Sequence, residues 1–454
     1  GLMADAVGRT LYRLAASRKN LLEWTTAAQT ESSHTPNVAG NYQVMSASLA
    51  AGVAAVVIAV FRADGIWIIA APFAAAWFAA PAVAFWISRS PKLEDELESS
   101  PEDRKTLRLV ARRTWRFFET FVTPAENMLP PDNFQEDPLP LVAHRTSPTN
   151  IGLYLLSIAS AREFGWLGLS DAVGRIEATL ATARRMEKHN GHLYNWYDTR
   201  TLTPLAPRYV STVDSGNLAG HALTLCAGLA SLADAPIVHP RWVDGVSDTF
   251  EVLRAAIGPQ PPRVVVRFAA ALERAATERD SKLASVFHHV ALLATASAEI
   301  AEHYRAQPVA LPAAPVFAGP EVQNAADEHM LEIDGWAEAL ARQCAALRDE
   351  LSLLAPWLAA PKSETSGVAH VADVSSVTTL RALAALDETG EKEPRDSATL
   401  RAQAATRARE RVAAIDDLVQ QASAFADVDY GFLFDRVRRQ FVIGYNVGDA
   451  RADA

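Results

Sequence analysis

Residues 44 to 88 read VMSASLAAGVAAVVIAVFRADGIWIIAAPFAAAWFAAPAVAFWIS. Val44 to Phe61 carries no charge, and neither does Ile66 to Ser88. At about 1.5 Å per residue, each run is long enough to cross a hydrocarbon core of about 30 Å as a helix. Only Arg62-Ala63-Asp64-Gly65 separates them, and so short a link, with Asp-Gly as ordinary turn chemistry, predicts two antiparallel helices. Pro72 and Pro81 are tolerable in a membrane helix, where neighbours satisfy the freed carbonyls. The competing account, a buried hairpin in a large soluble core, needs two such uncharged runs back to back, which is unusual there.

Basic residues flank this hairpin on its outer sides, Arg9, Arg13, Arg18 and Lys19 before it and Arg89, Lys92, Arg104 and Lys105 after it. The link between the spans holds a single Arg62, so the positive-inside bias predicts that both tails lie in the cytoplasm. Residues 8 to 25, GRTLYRLAASRKNLLEWT, set Leu11, Leu14, Leu21, Leu22 and Trp24 among Arg and Lys. That pattern suits a helix lying in the membrane interface, and equally a surface helix packed on another domain. The chain opens Gly-Leu-Met-Ala with no apolar run before residue 44, which predicts no signal peptide at its front. Both ends are expected to be cuts in a longer polypeptide.

At 454 residues the chain is too long for one ordinary domain, so a membrane module with a large soluble region is expected. A formal charge of −10 argues against nucleic acid as a partner, because phosphate binding needs a dense Lys/Arg surface. A neutral ligand fits better. Cys226 and Cys344 each fall in an Ala/Leu-rich stretch and read as small core residues, which points to a reducing compartment.

After the acidic linker KLEDELESSPEDRK a helix is predicted from about Glu102, with Leu107, Val110, Phe117, Phe118 and Phe121 at helical spacing. Further helices are predicted over about Thr149 to Phe164 and Ser170 to His189, with another containing Cys226. Polar loops intervene, and only short pieces such as His192 to Tyr197 alternate like strands. Residues 225 to 426 are long Ala/Leu/Arg/Glu helices, interrupted by a Pro-rich break at 307 to 320 and a charged loop at 387 to 396. Asp429 to Tyr445 reads as a β-hairpin turning near Asp435 to Arg438. The fold class is therefore mainly α, a layered or toroidal helical arrangement.

Sugar sites need flat aromatic faces for pyranose C–H surfaces and paired polar groups for hydroxyls. Three loops supply them. The first gives Asp132, Asn133, Gln135 and Glu136 around Phe134, and the second gives His144, Arg145, Thr146 and Asn150. The third gives Tyr194, Asn195, Trp196, Tyr197 and Asp198, with Asp214 and Asn217 opening the next helix. Each has a plainer reading: Asp132 and Asn133 follow two prolines as turn residues do, Thr149 or Asn150 suits an N-cap, and so does Asp214 or Ser215. His189 and His192 lie three apart, but Asn190-Gly191 breaks the helix between them, and no metal is expected there. No Gly-rich phosphate loop or Gly-x-Ser-x-Gly elbow occurs.

The strings RRTWRFFETFV, MLPPDNFQE, VAHRTSPTNIGLYLLS, GHLYNWYDTRTL, STVDSGNLAGH and FLFDRVRRQFVIGYNVGDAR closely resemble the glycoamylase-like domain of cyclic β-1,2-glucan synthases. The resemblance spans residues 107 to 225 and 427 to 454, and RTLYRLAASRKNLLEWTTAAQTE with the hairpin looks like the end of that family's membrane-bound transferase module. It implies residues 1–42 as an amphipathic end of that module, 43–89 as a transmembrane hairpin, 90–106 as a linker, and 107–454 as an incomplete (α/α)6-barrel domain.

By the same resemblance the parent is a bacterial inner-membrane enzyme that elongates β-1,2-glucan from UDP-glucose, cyclises it in this central domain, and sets its chain length in a phosphorylase-like domain. UDP-glucose and a divalent metal are expected only in the transferase, with no cofactor for the central domain. Ring closure would be a transglycosylation in which a sugar hydroxyl replaces water. The family's catalytic glutamates are expected past Ala454, which would leave this segment inactive by itself, with Asp132, Glu136 and Asp214 as the leading in-chain carboxylates for binding. A membrane-anchored helical interaction scaffold and a linear β-glucan hydrolase are the competing readings.

Overall fold

The uncharged runs fold as helices. In the computed structural model the described residues are 7–8, 10–12, 15–16, 38–61, 67–87, 99–278, 282–305, 320–359, 378–386 and 395–453. They fall into two units, one of residues up to Ser100 together with Phe434–Val442, the other Pro101–Leu433 with Ile443–Ala454.

In the first unit α1 (Val38–Val44) precedes α2 (Ser46–Phe61) and α3 (Trp67–Ile87). The break at Met45 shortens the first expected span to 16 residues, whereas α3 has 21 and is long and apolar enough to cross a bilayer. α2 packs on α3 where Gly52 meets the Phe78 ring; a Cβ there would stand 3.0 Å from Phe78 Cζ. Outward, Val60, Phe61, Ile69, Trp86 and Ile87 are exposed, a surface that water disfavours and hydrocarbon accepts. The link 62–65, most of the stretch 8–25 and the linker at 88–98 lie outside the described residues. The hairpin β8 (Phe434–Asp435) and β9 (Gln440–Phe441) forms as expected, its turn held by Asp435 Oδ1, which accepts from Val437 N at 2.7 Å and Arg438 N at 2.9 Å.

The second unit begins with α4 (Pro101–Phe121), which starts inside the stretch expected as linker. Pro101 at the first position and Glu102 and Asp103 in the first turn favour that start. Then follow β1 (Phe134–Gln135), β2 (Leu141–Val142), β3 (Arg145–Thr146), α5 (Pro148–Glu163) and α6 (Leu169–Arg185). α6 stops short of the expected His189 because β4 (Lys188–His189) and β5 (His192–Leu193) form a tight hairpin. Asn190 at φ 49 and Gly191 at φ 86 supply its left-handed turn. Next come β6 (Tyr197–Asp198), β7 (Tyr209–Ser211), α7 (Thr212–Leu232), α8 (Trp242–Ile257), α9 (Arg263–Thr277), α10 (Leu283–Arg305), α11 (Pro320–Leu354), α12 (Leu380–Ala384) and α13 (Arg395–Ala426). β10 (Gly444–Asn446) joins β7 on one side and β11 (Arg451–Asp453) on the other.

The helices pack in pairs, α5 on α7, α7 on α13, α9 on α10 and α10 on α11, so the mainly helical class expected from the sequence holds. α10 also passes for a membrane span by length and hydropathy, but 44% of its apolar window is buried against 11% for α3, which marks it as a core helix. Arg112 is 0% exposed and joins α4 to α8 and α11. Its guanidinium forks on Glu119 at 3.1 and 3.2 Å, donates to Thr249 Oγ1 at 2.7 Å, and lies 5.1 Å from the Trp336 ring centroid.

Candidate functional site

Two serines set the site's backbone. Ser147 caps α5, its hydroxyl accepting from Asn150 N at 3.2 Å, with Pro148 at the first helical position. Ser211 caps α7 in the same way, accepting from Asp214 N at 3.1 Å. The caps expected at Thr149, Asn150, Asp214 or Ser215 thus fall to earlier serines. The side chains of Thr149, Asn150 and Asp214 are left for other partners.

β3 pairs with β6 in antiparallel register, Arg145 opposite Asp198 and Thr146 opposite Tyr197. That pairing lays the third loop beside the second. Asn195 N donates to Tyr209 O at 2.7 Å, which ties the loop to the start of α7. In the first loop Asp132 N donates to Ala143 O at 3.2 Å and Ala143 N to Asn133 O at 3.0 Å, two residues facing one, a bulge that re-aims their side chains.

One connected network results. Arg145 Nε and Nη2 donate to Asp132 Oδ2 at 3.1 and 2.9 Å, Asn133 Nδ2 reaches the same oxygen at 3.1 Å, and Asn150 Nδ2 donates to Asp132 Oδ1 at 3.3 Å. The Arg145 guanidinium lies over the Trp196 ring, 4.8 Å from its centroid. With its amide oriented by its partners, Asn195 accepts from Trp196 Nε1 at 3.2 Å and donates to Asp214 Oδ2 at 2.9 Å. Asp214 Oδ1 accepts from Thr149 Oγ1 at 2.6 Å, and Asn217 Nδ2 donates to that hydroxyl at 3.1 Å. Trp196 and Asp214 are half-buried, while Arg145 and Asn217 are exposed. Asp132, Asn133, Arg145, Asn150, Asn195, Trp196, Asp214 and Asn217 are therefore brought together.

Gln135, Glu136, His144, Tyr197 and Asp198 stand outside the network. Tyr197 is 0% exposed; its hydroxyl donates to Glu187 O and accepts from Tyr194 N, and burial drives its pKa well above the phenol range. It is a core residue, not a surface for ligand. Gln135 pairs in β1 with Leu141 and is exposed, as is Glu136, and among the described residues neither is bonded to the network. His144 Nδ1 is bound by the buried Glu126 Oε1 at 2.8 Å, and Glu126 also holds Thr199. Asp198, named with the third loop, serves its turn: burial raises its pKa, but the N–H groups of Thr201 and Arg200 outweigh that and hold it below the carboxylate range.

His189 and His192 enter an aromatic cluster, His189 stacked on Tyr445 at 5.6 Å and His192 edge-on to Tyr430 at 4.8 Å, with His192 Nε2 on Asp429 O at 3.0 Å. Thr149, which belongs to the network, and Glu126, which holds His144 outside it, were not singled out for binding by sequence reasoning. Thr149 lies one residue past the Pro148 that starts α5, and the Ser-Pro pair before it was the available signal. Glu126 gives no local signal, being one acid in a short turn after Pro124.

Chemically the network offers a flat indole, a guanidinium, four amides and two carboxylates on loops at helix starts. Such a set can present acceptors and donors in pairs to a hydroxyl-rich neutral molecule.

No protein-family model matches this chain. Over 297 residues, 63% of the chain, it is 45% identical to the cyclic beta-(1,2)-glucan synthase NdvB of Rhizobium meliloti (strain 1021). The matched stretch covers 10% of that relative's length, and the identity bears out the resemblance read from the motifs.

Proposed function

We propose that this chain is part of a membrane-bound cyclic β-1,2-glucan synthase and that the network around Asp132, Arg145, Trp196 and Asp214 grips a β-1,2-glucan chain during ring closure. The observation that carries the reading is the convergence of residues from four separate stretches of sequence on one aromatic-and-carboxylate cluster. Trp196 supplies a stacking edge, Arg145 and the amides of Asn133, Asn150, Asn195 and Asn217 donate to sugar oxygens, and Asp214 accepts from hydroxyls. Held this way, the glucan is oriented so that one of its own hydroxyls, instead of water, reaches the bond being transferred. The role of these residues is positioning, and we assign no acid–base pair among them.

The two apolar helices α2 and α3 hold the chain in the bacterial inner membrane, and the basic flanks keep the second unit on the cytoplasmic side, where an activated sugar donor is available. The remaining domains of the same polypeptide make the linear chain and set its length. Titration of the membrane-embedded protein with linear β-1,2-glucan, followed by tryptophan emission and calorimetry, tests the reading. Saturable binding that is weakened in Trp196→Ala supports it, and absence of binding by the folded protein removes it. Product analysis with the complete enzyme then separates ring closure from hydrolysis.

A further inference from the structure

The two carboxylates of the cluster are not equivalent, and counting lone pairs shows why. An ionised carboxylate has two oxygens with about two acceptor positions each. Asp132 Oδ2 already accepts from Arg145 Nε, Arg145 Nη2 and Asn133 Nδ2, and Oδ1 from Asn150 Nδ2. It has one oxygen saturated. Asp214 accepts a single protein donor on each oxygen, Thr149 Oγ1 on Oδ1 and Asn195 Nδ2 on Oδ2, and it is only half-buried. Each of its oxygens keeps one acceptor position, and both lie on the same rigid carboxylate plane.

We infer that Asp214 is the residue that reads a vicinal diol, accepting one hydroxyl of an adjacent equatorial pair on each carboxylate oxygen. This rests on the glucan reading above and extends it to linkage selectivity. Thr149 is the positioning residue: its proton is committed to Asp214 Oδ1 and one of its two lone pairs accepts from Asn217, so with Asn195 on Oδ2 the carboxylate cannot rotate without breaking a bond at each oxygen. Asn195 fixes the other oxygen and is itself tied to Trp196 Nε1, which sets the diol reader against the stacking ring.

The consequence follows from carbohydrate chemistry. An internal unit of a β-1,2-linked chain keeps its 3-OH and 4-OH free and adjacent, as does a β-1,6-linked unit. A β-1,4-linked unit keeps the 2-OH and 3-OH pair. An internal β-1,3-linked unit has no adjacent free pair, so it can satisfy only one of the two oxygens. Losing one charge-assisted hydrogen bond in this way lowers affinity by roughly tenfold or more.

The test titrates the membrane-embedded full chain with long linear β-1,2-, β-1,6-, β-1,4- and β-1,3-glucans of matched length, so that terminal units contribute little. The expected result is that β-1,3-glucan binds weakest, about tenfold below β-1,2-glucan. Asp214→Asn should weaken β-1,2-glucan more than β-1,3-glucan and so narrow the gap between them, because the β-1,2 diol loses two charge-assisted acceptors and the β-1,3 hydroxyl only one. Thr149→Val, which keeps the side-chain shape, should narrow the preference, and Thr149→Ser should restore it. Equal binding of β-1,3- and β-1,2-glucan, or an Asp214→Asn variant that weakens both alike, overturns the inference while leaving glucan binding intact. If no glucan of any linkage binds the folded protein, the underlying glucan reading fails first.

Discussion

The Arg145 guanidinium lies 4.8 Å from the centroid of the Trp196 ring and is pinned there by Asp132, so one face of the indole is already occupied by a cation. On the proposed glucan reading a pyranose would stack on the opposite face or edge, because the cation already takes up the negative face on the covered side. Trp196→Ala therefore removes both contacts and should weaken glucan binding by about 1 kcal/mol, roughly fivefold. Calorimetric titration checks it. An affinity unchanged within error would place the ligand away from the indole.

Arg145→Ala uncovers that face to water while leaving Asp132 without its cation. The Trp196 emission should shift to the red in the free protein, and glucan affinity should fall. Because Arg145 is exposed, the cost to folding should stay under about 1 kcal/mol. Emission spectra and thermal unfolding of the same sample separate the two effects.

Tyr197 and Trp196 show how far the sequence alone could be read. Both sit in GHLYNWYDT, and both are aromatic residues in a polar loop; nothing local says which of them turns inward. The answer is set by β3, whose pairing with β6 buries Tyr197 opposite Thr146 and leaves its neighbour at the rim. Helix identity was legible because the periodicity of α4 to α7 is local, and the apolar hairpin was legible from charge alone. The caps were misplaced by two to four residues, since Ser147 and Thr149 are equally good candidates until the start of the helix is known. Glu126 with His144 was not legible at all, being a contact between residues 18 apart in sequence across two loops.

Tyr197→Phe tests that division. It removes the hydroxyl that bridges Glu187 O and Tyr194 N, so the chain should lose about 1 kcal/mol of stability. Glucan affinity should be unaffected. A large loss of affinity with stability intact would return Tyr197 to the ligand surface.

Arg112 makes the opposite prediction, a residue remote from the ligand network whose loss should be severe. Its guanidinium is fully buried between Glu119, Thr249 and the Trp336 ring, so Arg112→Ala leaves the Glu119 carboxylate without its forked partner. The expected cost is about 3 to 5 kcal/mol. Arg112→Lys keeps the charge but cannot fork, and should recover only part of it. Thermal unfolding by circular dichroism ranks the three proteins, and equal stability of the alanine and wild-type chains would show that the network contributes nothing.

Glu350 of α11 reaches the start of α6, where the N-cap is Gly168 and no side chain of the helix itself caps it. Its Oε2 accepts from Ser170 N at 3.0 Å, and a Cβ on Gly168 would stand within 2.2 Å of that oxygen. Gly168 has an ordinary φ of −68, so Gly168→Ala should be costly only through this clash. It should destabilise the protein in the wild-type background and be nearly silent in Glu350→Ala, a coupling that a double-mutant cycle on unfolding free energy measures. Burial raises the Glu350 pKa above the carboxylate range, against the pull of Arg162 and the N–H groups of Ser170 and Leu169. The folded chain therefore keeps a proton on Glu350 over an interval where the unfolded chain has released it. This contribution is complete below the unfolded value and is lost as pH rises through the raised folded value. Glu350→Gln, which cannot titrate, should flatten that slope in urea melts taken across mildly acidic to neutral pH, and an identical slope in both proteins would mean that Glu350 is ionised in the folded chain throughout.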